Sequence, residues 1–83
     1  MNDQGATQKL ANELSQRERE CLLWAARGKT YMEIGLILGL RFGSVKTYLD
    51  RVRYKLSSAT LAQATATAVV RGLITADDLS RAL

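Results

Sequence analysis

The chain has 83 residues, a net charge of +4 and no proline, and 47% of its residues are apolar. This size predicts one domain with a thin core, and the composition favours an all-helical unit over a β-sandwich or a disordered chain. The longest apolar run, residues 21–26, is far shorter than the about 20 residues needed to cross a bilayer. We therefore expect no contact with a membrane.

The sequence contains no histidine and a single cysteine, Cys21. The usual acid/base group near neutral pH and the commonest zinc ligand are thus missing, and the cysteine has no histidine to activate it. A glycine-rich phosphate loop is absent as well. We expect no catalytic residue, no metal and no cofactor. A lone cysteine cannot form a disulfide within the chain, which agrees with a reducing compartment, the cytoplasm.

Positive charge is concentrated in residues 41–55. This segment has five basic residues and one acidic residue, whereas seven basic and seven acidic residues balance in the rest of the chain. A basic segment on a neutral body is typical of a protein that binds a polyanion. The alternative at this point is a solvated helix face that happens to be basic.

Start and stop signals divide residues 13–83 into helices, after a polar segment at residues 1–12 that we interpret as a flexible tail. Three pairs of residues have the spacing of a capping box: Ser15 with Glu18, Thr30 with Glu33, and Thr60 with Gln63. Glycine follows three of the predicted helices as a C-cap, at positions 28, 39 and 72. The result is an all-α domain of four helices, the third at about residues 43–56, with a short fifth helix near residues 75–79.

Residues 31–48 have the spacing of a helix-turn-helix. Counted from Tyr31, the fifth residue is Gly35, which allows two helices to approach closely, and the ninth is Gly39, which permits the positive φ of the turn. The second helix of such a motif enters the DNA major groove. On a helical wheel its outward side is rich in hydrogen-bond donors and lacks aliphatic residues. Pattern and charge together predict double-stranded DNA as the partner.

The sequence also resembles the LuxR/GerE-type helix-turn-helix domain of bacterial transcription regulators, and its first helix looks most like the quorum-sensing branch of that family. The matching motifs are Leu-Ser-x-Arg-Glu from Leu14, Gly28-Lys29-Thr30, Glu33-Ile34, Ser44-Val45-Lys46 and Lys55-Leu56. The resemblance covers about residues 14–74. It implies a transcription regulator whose four-helix domain binds DNA as a homodimer, with helix three in the groove and helix four at the dimer contact.

Residue roles follow from this match. Lys46, with Thr47 beside it, occupies the family's base-reading position, and Asp50 lies one turn on. Asp50 either accepts from cytosine N4 or pairs with Lys46 or Arg53 along the helix, and both interpretations are open. The expected contacts with the DNA backbone come partly from the match and partly from charge and wheel position: Lys29, Thr30, Tyr31, Arg41, Ser44, Arg51, Arg53, Tyr54 and Lys55.

The fourth helix is apolar on two sides. One side is expected to face the domain's own core; the other is expected to form the dimer interface, and it comprises Ala62, Ala66, Val69 and Val70. In the first helix, Cys21 lies on the core stripe, whereas Leu23 points away from it and is expected to contact a partner.

The chain departs from the family pattern at the recognition helix and before helix four. Arg41 replaces a serine N-cap, Tyr48 a frequent histidine, Asp50 a neutral or basic residue, and Thr60-Leu61 an Asn-Arg pair. The DNA sequence that the protein would bind, its operator, is therefore not predicted.

The resemblance implies that most relatives join this domain to a ligand-binding or phosphoreceiver domain, and we expect the chain to be either a free-standing regulator or a C-terminal fragment. The alternative function is a protein-interaction module that pairs with a full-length LuxR-type regulator and blocks it; another is a sigma-factor-like region that docks on RNA polymerase.

Overall fold

The computed structural model describes residues 14–80, and this part of the chain is folded entirely into helices and the turns between them. The helices are α1 (Gln16–Ala26), α2 (Tyr31–Leu38), α3 (Phe42–Lys55), α4 (Leu61–Val70) and α5 (Ala76–Ser80). The all-α prediction is confirmed, including the short fifth helix. The predicted tail at residues 1–12 lies outside the described residues. None of the described helices combines the length and the apolar character that a bilayer crossing requires.

Hydrogen bonds between side chains and backbone set the helix starts. Two capping boxes are complete, each with bonds in both directions: Ser15 with Glu18 at α1, and Thr30 with Glu33 at α2. The third is half formed. Thr60 Oγ1 accepts from the Gln63 amide at 3.0 Å, but Gln63 Oε1 accepts from the backbone N–H of Ala59 at 2.8 Å. The prediction of a complete capping box at α4 was therefore wrong, because the Gln63 side chain accepts from the N–H of Ala59 and not from that of Thr60.

The core lies where α1, α3 and α4 meet. Its buried apolar residues are Cys21, Leu22, Leu23, Ile34, Val45, Leu49, Val52, Leu56, Ala64, Ala68 and Ile74. The expectation that Leu23 contacts a partner was wrong, since it is only 8% exposed. Because α1 packs against α3, α4 and α5 as well as α2, it buries a wider stripe than one neighbour would cover. Cys21 is buried as expected, and burial raises the pKa of its thiol.

The turn between α2 and α3 has the predicted helix-turn-helix geometry. Gly39 ends α2 with φ of 71°, a conformation that costs glycine little. The Leu40 amide donates to the Gly35 carbonyl at 2.8 Å. A Cβ atom at Gly35 would lie 2.6 Å from the Leu40 carbonyl oxygen. The two glycines thus permit the tight turn that sets α3 against α2.

The fifth helix is attached to α1 through arginines. Arg19 donates to the carboxylate of Asp78 at 3.0 Å and to the Leu73 carbonyl at 3.3 Å. Arg27 donates to the backbone carbonyl of Asp78. These bonds hold the C-terminal end of the described chain against the first helix.

Candidate nucleic-acid interface

Helix α3 presents its polar side to solvent because its apolar side is needed in the core. Val45, Leu49 and Val52 are fully buried, whereas Lys46 and Thr47 on the opposite side are exposed. We call this outward side, with Gly43, Lys46, Thr47, Asp50, Arg51, Arg53 and Tyr54, the α3 face. Its orientation agrees with the helical-wheel prediction.

Asp50 bridges two cations on the α3 face. Its Oδ2 lies 3.0 Å from Lys46 Nζ and its Oδ1 lies 2.6 Å from a terminal nitrogen of Arg53. Hydrogen bonds from Lys46 and then Arg53 lower the pKa of this carboxyl. Arg53 also donates to the Ala59 carbonyl at 3.2 Å. With both carboxylate oxygens engaged, the geometry favours the pairing interpretation of Asp50 over the reading of cytosine.

A second cluster lies along one flank of the α3 face. The guanidinium of Arg51 lies over the Tyr48 ring, 6.0 Å from its centroid, within the range of a cation–π contact. These two residues, with Ser44 and Thr47, line a shallow open depression of about 160 Å³. Arg51 and Tyr48 thus lie on the same flank of the α3 face as Ser44 and Thr47.

Lys55, an expected backbone contact, is tied to the first helix. Its Nζ lies 2.8 Å from Oε1 of Glu18, whose side chain is only 4% exposed. Burial favours a raised pKa for Glu18, but the bonds from Lys55 and from Ser15 outweigh it, and the pKa lies below its ordinary value. Sequence reasoning missed this pair. The only available signal was a glutamate in a capping box, and that pattern does not identify a partner 37 residues away.

The start of α2 and the first turn of α3 adjoin each other. Lys29 and Thr30 are exposed, and the Thr30 hydroxyl is used as the α2 cap. The half-buried Tyr31 ring packs against Phe42 with 5.7 Å between centroids. Arg41 is the N-cap of α3 and makes no side-chain capping bond. These two helix starts therefore bring the predicted residues of α2 next to the α3 face.

Helix α4 has the two-sided character expected from its sequence. Ala64 and Ala68 are fully buried. The other side is exposed and includes Val70, which is 86% exposed, and Val69, at 39%. We call the exposed residues Ala62, Ala66, Val69 and Val70 the α4 stripe. Nothing in the described residues covers it.

Comparison with known proteins gives a consistent family. Residues 12–68 match the model of the family described as bacterial regulatory proteins, luxR family. The chain is 43% identical over 65 residues to the HTH-type quorum sensing-dependent transcriptional regulator VjbR of Brucella ovis, an alignment that covers 78% of this chain and 25% of that protein. It is 36% identical over 69 residues to the transcriptional activator protein LuxR of Aliivibrio fischeri, covering 83% and 28% respectively. The chain therefore spans about a quarter of the length of these curated relatives.

The Glu18–Lys55 pair predicts a loss of stability in acid. Because the folded-state pKa of Glu18 is lowered, the pair's contribution is present above the unfolded-chain value of about 4.3 and is lost as pH falls through the folded-state pKa. Glu18→Gln keeps an oxygen for the Ser15 amide but removes the charge. We expect it to lower the free energy of unfolding at pH 7 by about 1–3 kcal/mol and to flatten its decline below pH 5.

Urea unfolding between pH 3 and 7 measures this effect. Glu33→Gln is the matched control, because Glu33 closes an equivalent capping box but is exposed, and no lysine among residues 14–80 is bonded to it. Equal losses in the two variants would show that capping, and not the ion pair, stabilises the start of α1.

Proposed function

The chain belongs to the luxR family of bacterial regulatory proteins, and from this we propose that it regulates transcription by binding double-stranded DNA as a dimer, with α3 in the major groove. The family consists of transcription regulators and not of enzymes. One observation carries the proposal. The net charge of the chain lies entirely in residues 41–55, and most of the charged side chains of that segment project from the α3 face.

In the proposed complex, Lys46 and Thr47 read base edges from the middle of the α3 face. Lysine suits the O6 and N7 acceptors of guanine. The uncapped start of α3 at Arg41 and the side chain of Arg51 lie next to this position along the helix, where they would contact phosphates. Lys29, Thr30 and Tyr31 at the start of α2 supply further backbone contacts, since amides at a helix N-terminus suit phosphate.

Three more residues are proposed to contact the DNA backbone, and they differ in the bonds that their side chains already make within the protein. Tyr54 is 87% exposed and has its hydroxyl available to a phosphate. Arg53 would share its guanidinium between a phosphate and Asp50. Lys55 would contact DNA with an ammonium group that already binds Glu18, so we expect its share of the affinity to be small.

Dimerisation is proposed through the α4 stripe. A helix that is apolar on two sides buries one side in its own core and has the other available for a second copy. Its small residues allow two α4 helices to pack closely. Because the contact is small, the dimer is weak by itself, and DNA stabilises it by holding two copies on half-sites about one helical turn apart.

The α4 stripe also supports a second candidate function. A chain with this surface can pair with a full-length LuxR-type regulator and keep it from its operator. In that case a pull-down recovers such a relative, or RNA polymerase if the chain docks there, and DNA affinity is not required. The salt dependence of binding separates the two functions.

We predict that affinity for a DNA duplex falls steeply with salt. Each phosphate that a basic residue neutralises lowers the logarithm of the association constant by roughly 0.9 for each tenfold rise in salt. Fluorescence anisotropy of a labelled duplex, measured between roughly 50 and 200 mM salt, gives the slope of the logarithm of affinity against the logarithm of salt concentration. Arg51→Ala should reduce it by about one, and Arg71→Ala, remote in sequence from the basic segment, should leave it unchanged. A flat salt response in the intact chain would favour the protein-pairing function.

Asp50→Ala should tighten binding to all DNA sequences alike. The substitution removes a negative charge from the α3 face and releases Lys46 and Arg53 from their bonds to it. Anisotropy on a preferred duplex and on a scrambled one measures both affinities. If Asp50 reads cytosine instead, the preferred duplex alone loses affinity, by roughly 1–3 kcal/mol, and the pairing interpretation is wrong.

Val70→Glu should abolish cooperative binding to a duplex with two half-sites. A carboxylate on the α4 stripe would face its symmetry-related copy, and like charges in a closed interface repel. Binding to a single half-site should change little. Ala76→Glu is the control, because it adds the same charge at an exposed position of α5. Retained cooperativity in Val70→Glu would place the dimer contact elsewhere.

A further inference from the structure

Four of the five glycines among the described residues have a reason within the fold. Three, at positions 28, 39 and 72, have positive φ angles between 71° and 95°. At the fourth, Gly35, a Cβ atom would meet the Leu40 carbonyl oxygen. Replacing any of the four would strain the backbone or the turn.

Gly43 has no such reason. It lies within α3, its φ is not positive, and a Cβ atom built on it would have no neighbour within 4 Å. Alanine is a better helix former than glycine. Gly43 is the second residue of α3, and the described fold would accept a side chain there, so it gives no reason for a glycine at this position.

The position of Gly43 on the α3 face gives a reason for the missing side chain. It lies one turn before Lys46 and Thr47 on the α3 face, and all three are exposed. In helix-turn-helix proteins the N-terminal residues of the recognition helix lie nearest to the base edges. A glycine there gives the shortest approach of the helix backbone to the floor of the groove.

We propose that Gly43 is a specificity-determining residue, whose missing side chain lets the first turns of α3 seat against the bases so that Lys46 and Thr47 reach them. The proposal rests on the proposed function. A side chain at this position would hold α3 away from the bases, and hydrogen bonds to base edges tolerate only about half an ångström of extra separation. Long basic side chains can still reach phosphates from the displaced helix, so sequence-independent binding is preserved.

The test uses Gly43→Ala and Gly43→Leu in the full 83-residue chain. One probe is a duplex that the unsubstituted protein enriches from a randomised DNA library, and the other is a scrambled duplex of the same composition. We expect Gly43→Ala to lose about tenfold in affinity for the enriched duplex, of the order of one lost base contact, and Gly43→Leu to lose more. Affinity for the scrambled duplex should stay within about twofold. The melting temperature of both variants should be unchanged or higher, because alanine and leucine favour the helix.

Two controls keep the outcomes distinct. Ala76→Leu adds a side chain to the exposed first turn of α5 and should change neither affinity, and Lys46→Ala should lower affinity for the enriched duplex. If Lys46→Ala loses affinity while both Gly43 variants keep it, the role of Gly43 is overturned and the proposed function stands. If the unsubstituted chain enriches no sequence, the proposed function fails and the role of Gly43 fails with it.

Discussion

The packing of α3 against α1 is the constraint on which the rest of the structure depends. Val45, Leu49 and Val52 fill the core on one side of α3, and this fixes which residues face outward. A one-residue rotation would turn Lys46 towards the core, and an uncompensated buried charge is costly. At the far end of α3 the Lys55–Glu18 pair joins the helix to the start of α1. Apolar packing thus sets the rotation of the helix, and the ion pair restrains its C-terminal end.

The cations of the basic segment are held in different ways. Lys46 and Arg53 share Asp50, and Lys55 binds Glu18. Arg51 instead lies over an aromatic ring, with no carboxylate of the described residues at ion-pair distance. A side chain held in position loses less conformational entropy when it binds. Asp50 and Tyr48 therefore restrict the cations of the α3 face, but the negative charge of Asp50 opposes contact with phosphates, and we expect this repulsion to be the larger effect.

Local sequence signals predicted the helices well, whereas contacts between residues distant in sequence were not predicted. The capping boxes at Ser15 and Thr30 depend on residues three apart, so the sequence was sufficient to predict them. Leu23 was misplaced because its burial depends on how many elements surround α1, which no local pattern contains. The Lys55–Glu18 pair was missed for the same reason. Within the α3 face, spacing alone left two interpretations of Asp50, and the distances to Lys46 and Arg53 were needed to favour one.

The shared core also connects the α4 stripe to the α3 face. Because Ala64 and Ala68 lie in the core shared with α1 and α3, the orientation of the α4 stripe relative to the α3 face is fixed by that core. A symmetric contact through the stripe would therefore place two α3 helices at a set separation, and this separation would determine the spacing of the half-sites. The residues proposed to read the DNA sequence and those proposed to set the spacing are different, but one small core holds both sets in place. A core substitution that rotates α4 would thus change the preferred spacing without touching a residue of the α3 face.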